Sequence, residues 1–159
     1  MTPTPFLPPS RRYVPRSSFG RVSIGVLGRV MMSVAEGPFD AELMAATKRA
    51  IAVAGRRLPA DRRFGDLLEI RGSLQMNADA LAELRASIDS FAARGLVAIS
   101  TVFLVPPGLP GIERLPALMD IWRASRPVRR AENFESAWEL VNADLTAAGL
   151  PTQAPPPRP

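Results

Sequence analysis

The sequence predicts an α/β domain: a mixed sheet of four to five strands that starts with an antiparallel hairpin and is packed by about four helices. Three observations carry this. Two apolar stretches of period two stand either side of Gly28–Arg29. Strand-like and helix-like segments then alternate as far as Gly149. Proline-rich stretches bracket the whole, and proline can join neither a helix interior nor a central strand.

The hairpin comes first. Val22, Ile24 and Val26 alternate with Ser23 and Gly25, and Val30, Met32 and Val34 alternate again after the break, with Gly28 expected to supply the positive φ of the turn. A first helix follows, capped by Asp40, favoured by Glu42 in its first turn, and striped with Leu43, Thr47, Ala50, Ile51 and Ala54. Gly55 is its expected stop, with Arg56 and Arg57 near the negative end of the dipole. The segment from Phe64 to Gly72 is apolar in its middle and reads as a buried strand.

The second helix has Asn77 as its cap, a stripe of Leu81, Leu84, Ile88 and Phe91, and Gly95 as its end. The run from Leu96 to Val105 is apolar nearly throughout, as expected of a strand covered on both faces. The loop PPGLPG leads to a third helix over Glu113–Ser125, with Pro116 tolerable in its first turn and Pro127 ending it. A short extended piece, PVRRAENF, then gives way to a last helix with Trp138, Val141 and Leu145 inward and Gly149 as its cap.

The expected organisation is thus a flexible Pro/Arg-rich arm over residues 1–18, one α/β domain over 19–150, and a proline-rich tail over 151–159. The final PPPRP resembles peptides that SH3-type domains bind, although a plain tail of polyproline II type accounts for it.

Composition removes several chemistries. With no cysteine and no histidine, disulfides, thiolate nucleophiles, Ser–His–Asp triads and HExxH zinc sites are excluded. No catalytic residue, cofactor or metal is expected, and the domain reads as non-enzymatic. The net charge of +5 suggests nucleic acid until it is located. Sixteen of the twenty basic residues and all fifteen acidic ones lie between Phe19 and Leu150, so the body is near neutral and a poor footprint for phosphate. No apolar run is long enough to span a bilayer, and the start of the chain lacks the apolar core of a secretory signal, so a cytoplasmic location is expected.

Three stretches carry a resemblance to a known family. Gly37, Phe39 and Asp40 in GPFDAEL are similar to the glycine–aromatic–acidic lead into the first helix of STAS and SpoIIAA-like domains. The stretch GDLLEIRG resembles their central strand, with Asp66 where an aspartate often stands. Phe134, Ala137 and Trp138 in RRAENFESAWELVNADL resemble their closing strand and helix. The resemblance covers about residues 20–148 and implies a regulatory or scaffolding domain that binds another protein. Relatives in the lipid-carrier group imply the alternative, a small apolar-ligand or lipid-binding domain. Anti-sigma-factor antagonists of this kind carry a phosphorylated Asp-Ser-Ser-Gly stretch at the second helix. Here the segment reads SLQMNADAL, so that switch is not carried over, and Ser73 is more simply a loop serine bonded to local backbone.

In open α/β sheets ligands gather at the carboxyl ends of the strands. The candidate ligand or partner rim is therefore Arg71, Gly72, Ser73 and Asn77 from one loop, with Pro106, Pro107 and Gly108 from the next. Asp66 and Glu69, three positions apart on one strand, should face opposite ways, each a strand-end charge or neutralised by an arginine. Arg94, Arg123 and Arg126 read as dipole complements at helix ends, while Arg129 and Arg130 lack that explanation and could meet an acidic partner. Met31, Met32, Met44, Met76 and Met119 suit either an ordinary core or an adaptable apolar pocket beside the fourth strand. Pairing of two copies along the open edge of the hairpin would give a homo-oligomer.

Overall fold

The computed structural model describes residues 20–157. The arm expected over residues 1–18 lies outside the described residues, as do Arg158 and Pro159 of the tail. The chain runs β1 (Arg21–Leu27), β2 (Val30–Glu36), α1 (Ala41–Ala54), β3 (Arg63–Arg71), α2 (Ala78–Ala93), β4 (Val97–Leu104), α3 (Leu115–Arg123), β5 (Val128–Ala131) and α4 (Phe134–Ala147). The expected mixed sheet and four helices are present, and the sheet has five strands in the order β1-β2-β3-β4-β5. Only β1 and β2 are antiparallel; every later neighbour pairs in parallel.

The tight turn between β1 and β2 places Gly28 at φ 57°, which a residue with a Cβ adopts poorly. Asp40 caps α1 by accepting from the Leu43 amide at 2.8 Å, and Asn77 caps α2 by accepting from Ala80 at 2.8 Å. Asn133 does the same for α4, accepting from Ser136 at 2.9 Å, a cap hidden in a segment read as extended. The expected stop at Gly55 is softer than a left-handed cap: Gly55 stays right-handed and the chain continues through a 3-10 turn to Arg57.

Each parallel strand is added on the same side of its predecessor, and crossovers of one hand then leave their helices on one face. Accordingly α1, α2 and α3 cover one side, packing Leu43, Ile88, Phe91 and Trp122 over Ile24, Met31, Phe64 and Phe103. The other side is covered by α4, where Phe134, Trp138, Val141 and Leu145 meet Val30, Met32, Leu67 and Val102. The adjacent methionines Met31 and Met32 thus serve different layers, as strand alternation requires.

One irregularity decides what faces the three-helix side. Phe64 pairs with Ala98 but Gly65 pairs with Ser100, leaving Ile99 as an extra residue in β4. This bulge reverses the alternation, so that Phe103 and Val105 join Ala98 on the α1–α3 side and Thr101 turns the same way. Beyond α4 the chain is held down as far as Gln153. Its carbonyl accepts from Trp138 Nε1 at 2.8 Å and Asn142 Nδ2 at 2.9 Å, while its amide donates to Asn142 Oδ1 at 2.9 Å.

Candidate functional site

The sheet and its three-helix layer do not close fully on one another. Between them lies a cavity of about 80 Å³. Its floor is Met31, Ser33 and Ala35 of β2 with Asp66, Leu68 and Ile70 of β3. Its roof is Met44, Thr47 and Ile51 of α1 with Leu84, Ser87 and Ile88 of α2, and Trp122 closes it from α3. Leu68, in the middle of the central strand, keeps some accessible surface while its neighbour Leu67 on the other face keeps none. The wall grades from buried Ser87 and Trp122 to half-buried Thr47, Ile51, Leu84 and Met76.

Phe39 and Met76 complete the wall at the carboxyl ends of the strands. The loops that carry them are zipped together: the Phe39 amide donates to the Gln75 carbonyl at 2.9 Å, and Gly37 donates to Arg71 at 3.1 Å. Gly37 is required there, because a Cβ would collide with the Ser73 carbonyl.

Among the described residues, Asp66 is the one ionisable side chain on this wall. It is 7% exposed, and its Oδ2 accepts from Thr101 Oγ1 at 2.9 Å. Arg126, only 8% exposed, places Nη1 3.8 Å from the same oxygen and 3.4 Å from Thr101 Oγ1. The guanidinium also lies 5.1 Å from the centroid of the Phe91 ring. Burial pushes the Asp66 carboxyl above the usual carboxylate range, against the opposing pull of Arg126 and Thr101. Burial likewise lowers Arg126, with Asp66 acting the other way. Glu69 sits apart from this cluster beside Arg71, whose Nη2 donates to both of its oxygens at 3.1 Å.

The expected reading of Arg126 as a helix-end dipole complement is thereby corrected. Pro127 reverses the chain into β5, its carbonyl accepting from the Thr101 amide at 3.0 Å, and this carries Arg126 inward. Arg129, whose side chain stays 46% exposed, pairs within the chain, its Nη2 lying 2.7 Å from Asp144 Oδ1. Arg130 Nη2 reaches the Val105 carbonyl at 3.4 Å.

The predicted rim residues lie where the strand order places them. The loops after β3 and β4 touch, the Leu74 amide donating to the Pro110 carbonyl at 2.9 Å. Arg71 is engaged by Glu69, Gly72 takes φ 74°, the Ser73 hydroxyl accepts from the Gln75 amide at 3.0 Å, and Asn77 is spent on its cap. Pro106, Pro107 and Gly108 are exposed. None of these seven lines the cavity, which lies beneath the rim and beside β2 and β3 rather than β4. Of the five methionines singled out, Met31, Met44 and Met76 line it; Met32 and Met119 pack elsewhere.

Among the described residues no group of three or more acidic side chains could hold a metal ion, and no helix is long and apolar enough to cross a membrane. No family model matches the sequence, and no curated protein matches it.

Proposed function

We propose that this chain is a non-enzymatic domain that holds a small, largely apolar molecule between its sheet and the α1–α3 layer. The observation that carries this is the cavity itself: about 80 Å³, walled by side chains such as Met31, Met44, Ile70 and Ile88. Leaving it empty costs roughly 2 kcal/mol at about 24 cal/mol per Å³. It is smaller than the roughly 150 Å³ apolar cavity that admits benzene, so a ligand must be slender or must displace the flexible methionines.

The likeness to the SpoIIAA-like group belongs to this proposal and is supported by the element order and by the placing of Phe39 at the lid. So does a cytoplasmic location. A protein-docking role has less to rest on, since Val53 and Val97 are the exposed large apolar side chains among the described residues. The test is native mass spectrometry of the purified chain together with xenon-exchange NMR. A retained adduct, or xenon contacts to the Met31 and Met44 methyls, is expected; a clean apo mass with no xenon contact removes the reading.

A further inference from the structure

We infer that the occupant of this cavity is a slender, uncharged amphiphile, an aliphatic chain ending in a hydroxyl, whose O–H donates to Asp66 while the chain lies against Met31, Met44 and Ile88. The inference rests on the proposed cavity function and names the ligand class. Three features argue for it.

The first is charge. Asp66 faces the cavity with Arg126 behind it at 3.8 Å, so the pair is neutral as a unit. A carboxylate or ammonium head would add an uncompensated charge in a hydrocarbon-walled space, where desolvation is costly. A neutral head adds none.

The second is hydrogen-bonding capacity. An ionised carboxylate offers about four acceptor sites, and Thr101 supplies one donor at 2.9 Å. A group arriving from the cavity side meets an acceptor, so it must donate. A hydroxyl can do so; an ether of the same length cannot. The Ser33 and Ser87 side chains also line the space.

The third is shape. A volume of about 80 Å³ is that of two or three liquid waters, at roughly 30 Å³ each. It suits a head group and a few chain carbons in single file and excludes a fused ring system. Polar side chains are too few around most of the wall to give each water its two to four partners.

The experiment titrates the full chain with 1-butanol, its isomer methyl propyl ether, butanoate and butylammonium at pH 7. Binding is followed by the fluorescence of Trp122, which lines the cavity, in a Trp138→Phe background, because Trp138 packs on the opposite face. Butanol is expected to bind at least about tenfold more tightly than the other three, the size of effect that one hydrogen bond to a charged group gives. In Asp66→Leu/Arg126→Met the alcohol and the ether are expected to bind within about twofold of each other, since a buried pair replaced as a unit leaves no orphaned charge. The wild-type head-group series decides even if that variant does not fold. Equal binding of all four overturns the hydroxyl inference and leaves the apolar cavity standing. Preference for a charged head overturns it too. Failure of every compound, with no xenon contact, overturns both readings.

Discussion

Asp66 and Arg126 form a couple whose pH response can be worked out from the structure. Burial raises the Asp66 carboxyl above its ordinary 3.8 in the folded chain. A raised folded value means that the group's contribution to stability is complete below the unfolded value and is lost as pH climbs toward the folded one. Wild type should therefore lose stability as pH rises from about 3.8, by at most about 1.4 kcal/mol per pH unit from this group. Asp66→Asn mimics the protonated acid and removes that slope. Arg126→Met keeps an unbranched side chain at this buried position but deletes the attraction holding the carboxyl down, so the loss extends to higher pH. As pH rises above about 4.5, Arg126→Met should lose more stability than wild type does, each measured against Asp66→Asn, up to the roughly 3–5 kcal/mol that breaking a buried pair costs. Wild type should lie between them. Urea unfolding at three pH values, followed by tryptophan fluorescence, gives these differences, and common contributions from other groups cancel. Parallel pH profiles for the three proteins would refute the reasoning.

Three further perturbations follow from the packing. Ala35→Leu pushes three carbons into the cavity and should stabilise the unliganded chain by up to about 2 kcal/mol while abolishing ligand binding; a loss of 1–3 kcal/mol in thermal unfolding, the mark of overpacking, would mean the space is not there. Gly37→Ala forces the lid loops apart at Ser73 and should cost roughly 2 kcal/mol or more, with faster hydrogen exchange at the Phe39 amide. Asn142→Ala removes two hydrogen bonds from Gln153, should cost about 1–2 kcal/mol, and should make the segment after Leu150 cleave sooner in limited proteolysis; an unchanged cleavage rate would show that Trp138 alone holds it.

The framework was legible because it is written locally. Period-two runs marked β1 and β2, and an oxygen-bearing side chain before each stripe marked the starts of α1 and α2. The opposed directions of Asp66 and Glu69, and the neutralisation of Asp66 by an arginine, also follow from strand alternation and desolvation. What could not be read was which arginine. Asp66, Thr101 and Arg126 come from three separate parts of the chain, and their meeting depends on the bulge at Ile99 and the reversal at Pro127. Neither leaves a periodic trace: an extra residue in an unbroken apolar run does not disturb the run, and Arg126 before a proline looks like any helix-end cation. The available signal was an aspartate beside the apolar middle of a buried strand. The cavity was illegible for another reason. A void is a shortfall of volume between elements, and sequence patterns report which way side chains face, not whether opposing faces fill the gap.

The two departures from an ordinary core coincide in space, and that coincidence bears on function. A void of about 80 Å³ forfeits roughly 2 kcal/mol, and one larger residue at Ala35 could remove most of it. A buried ion pair is often matched or bettered in stability by hydrocarbon of similar volume. Either alone would be unremarkable as an imperfection of packing. Here the carboxylate of the pair forms part of the wall of the void, with Thr101 and Arg126 holding it from behind so that its cavity side stays open to a donor. Sequences that fold well tend to be consistent at every level, and the exceptions gather where a site requires them. A ligand that fills the space and donates to Asp66 offsets both deficits at once, which neither a larger apolar side chain nor a water molecule can do.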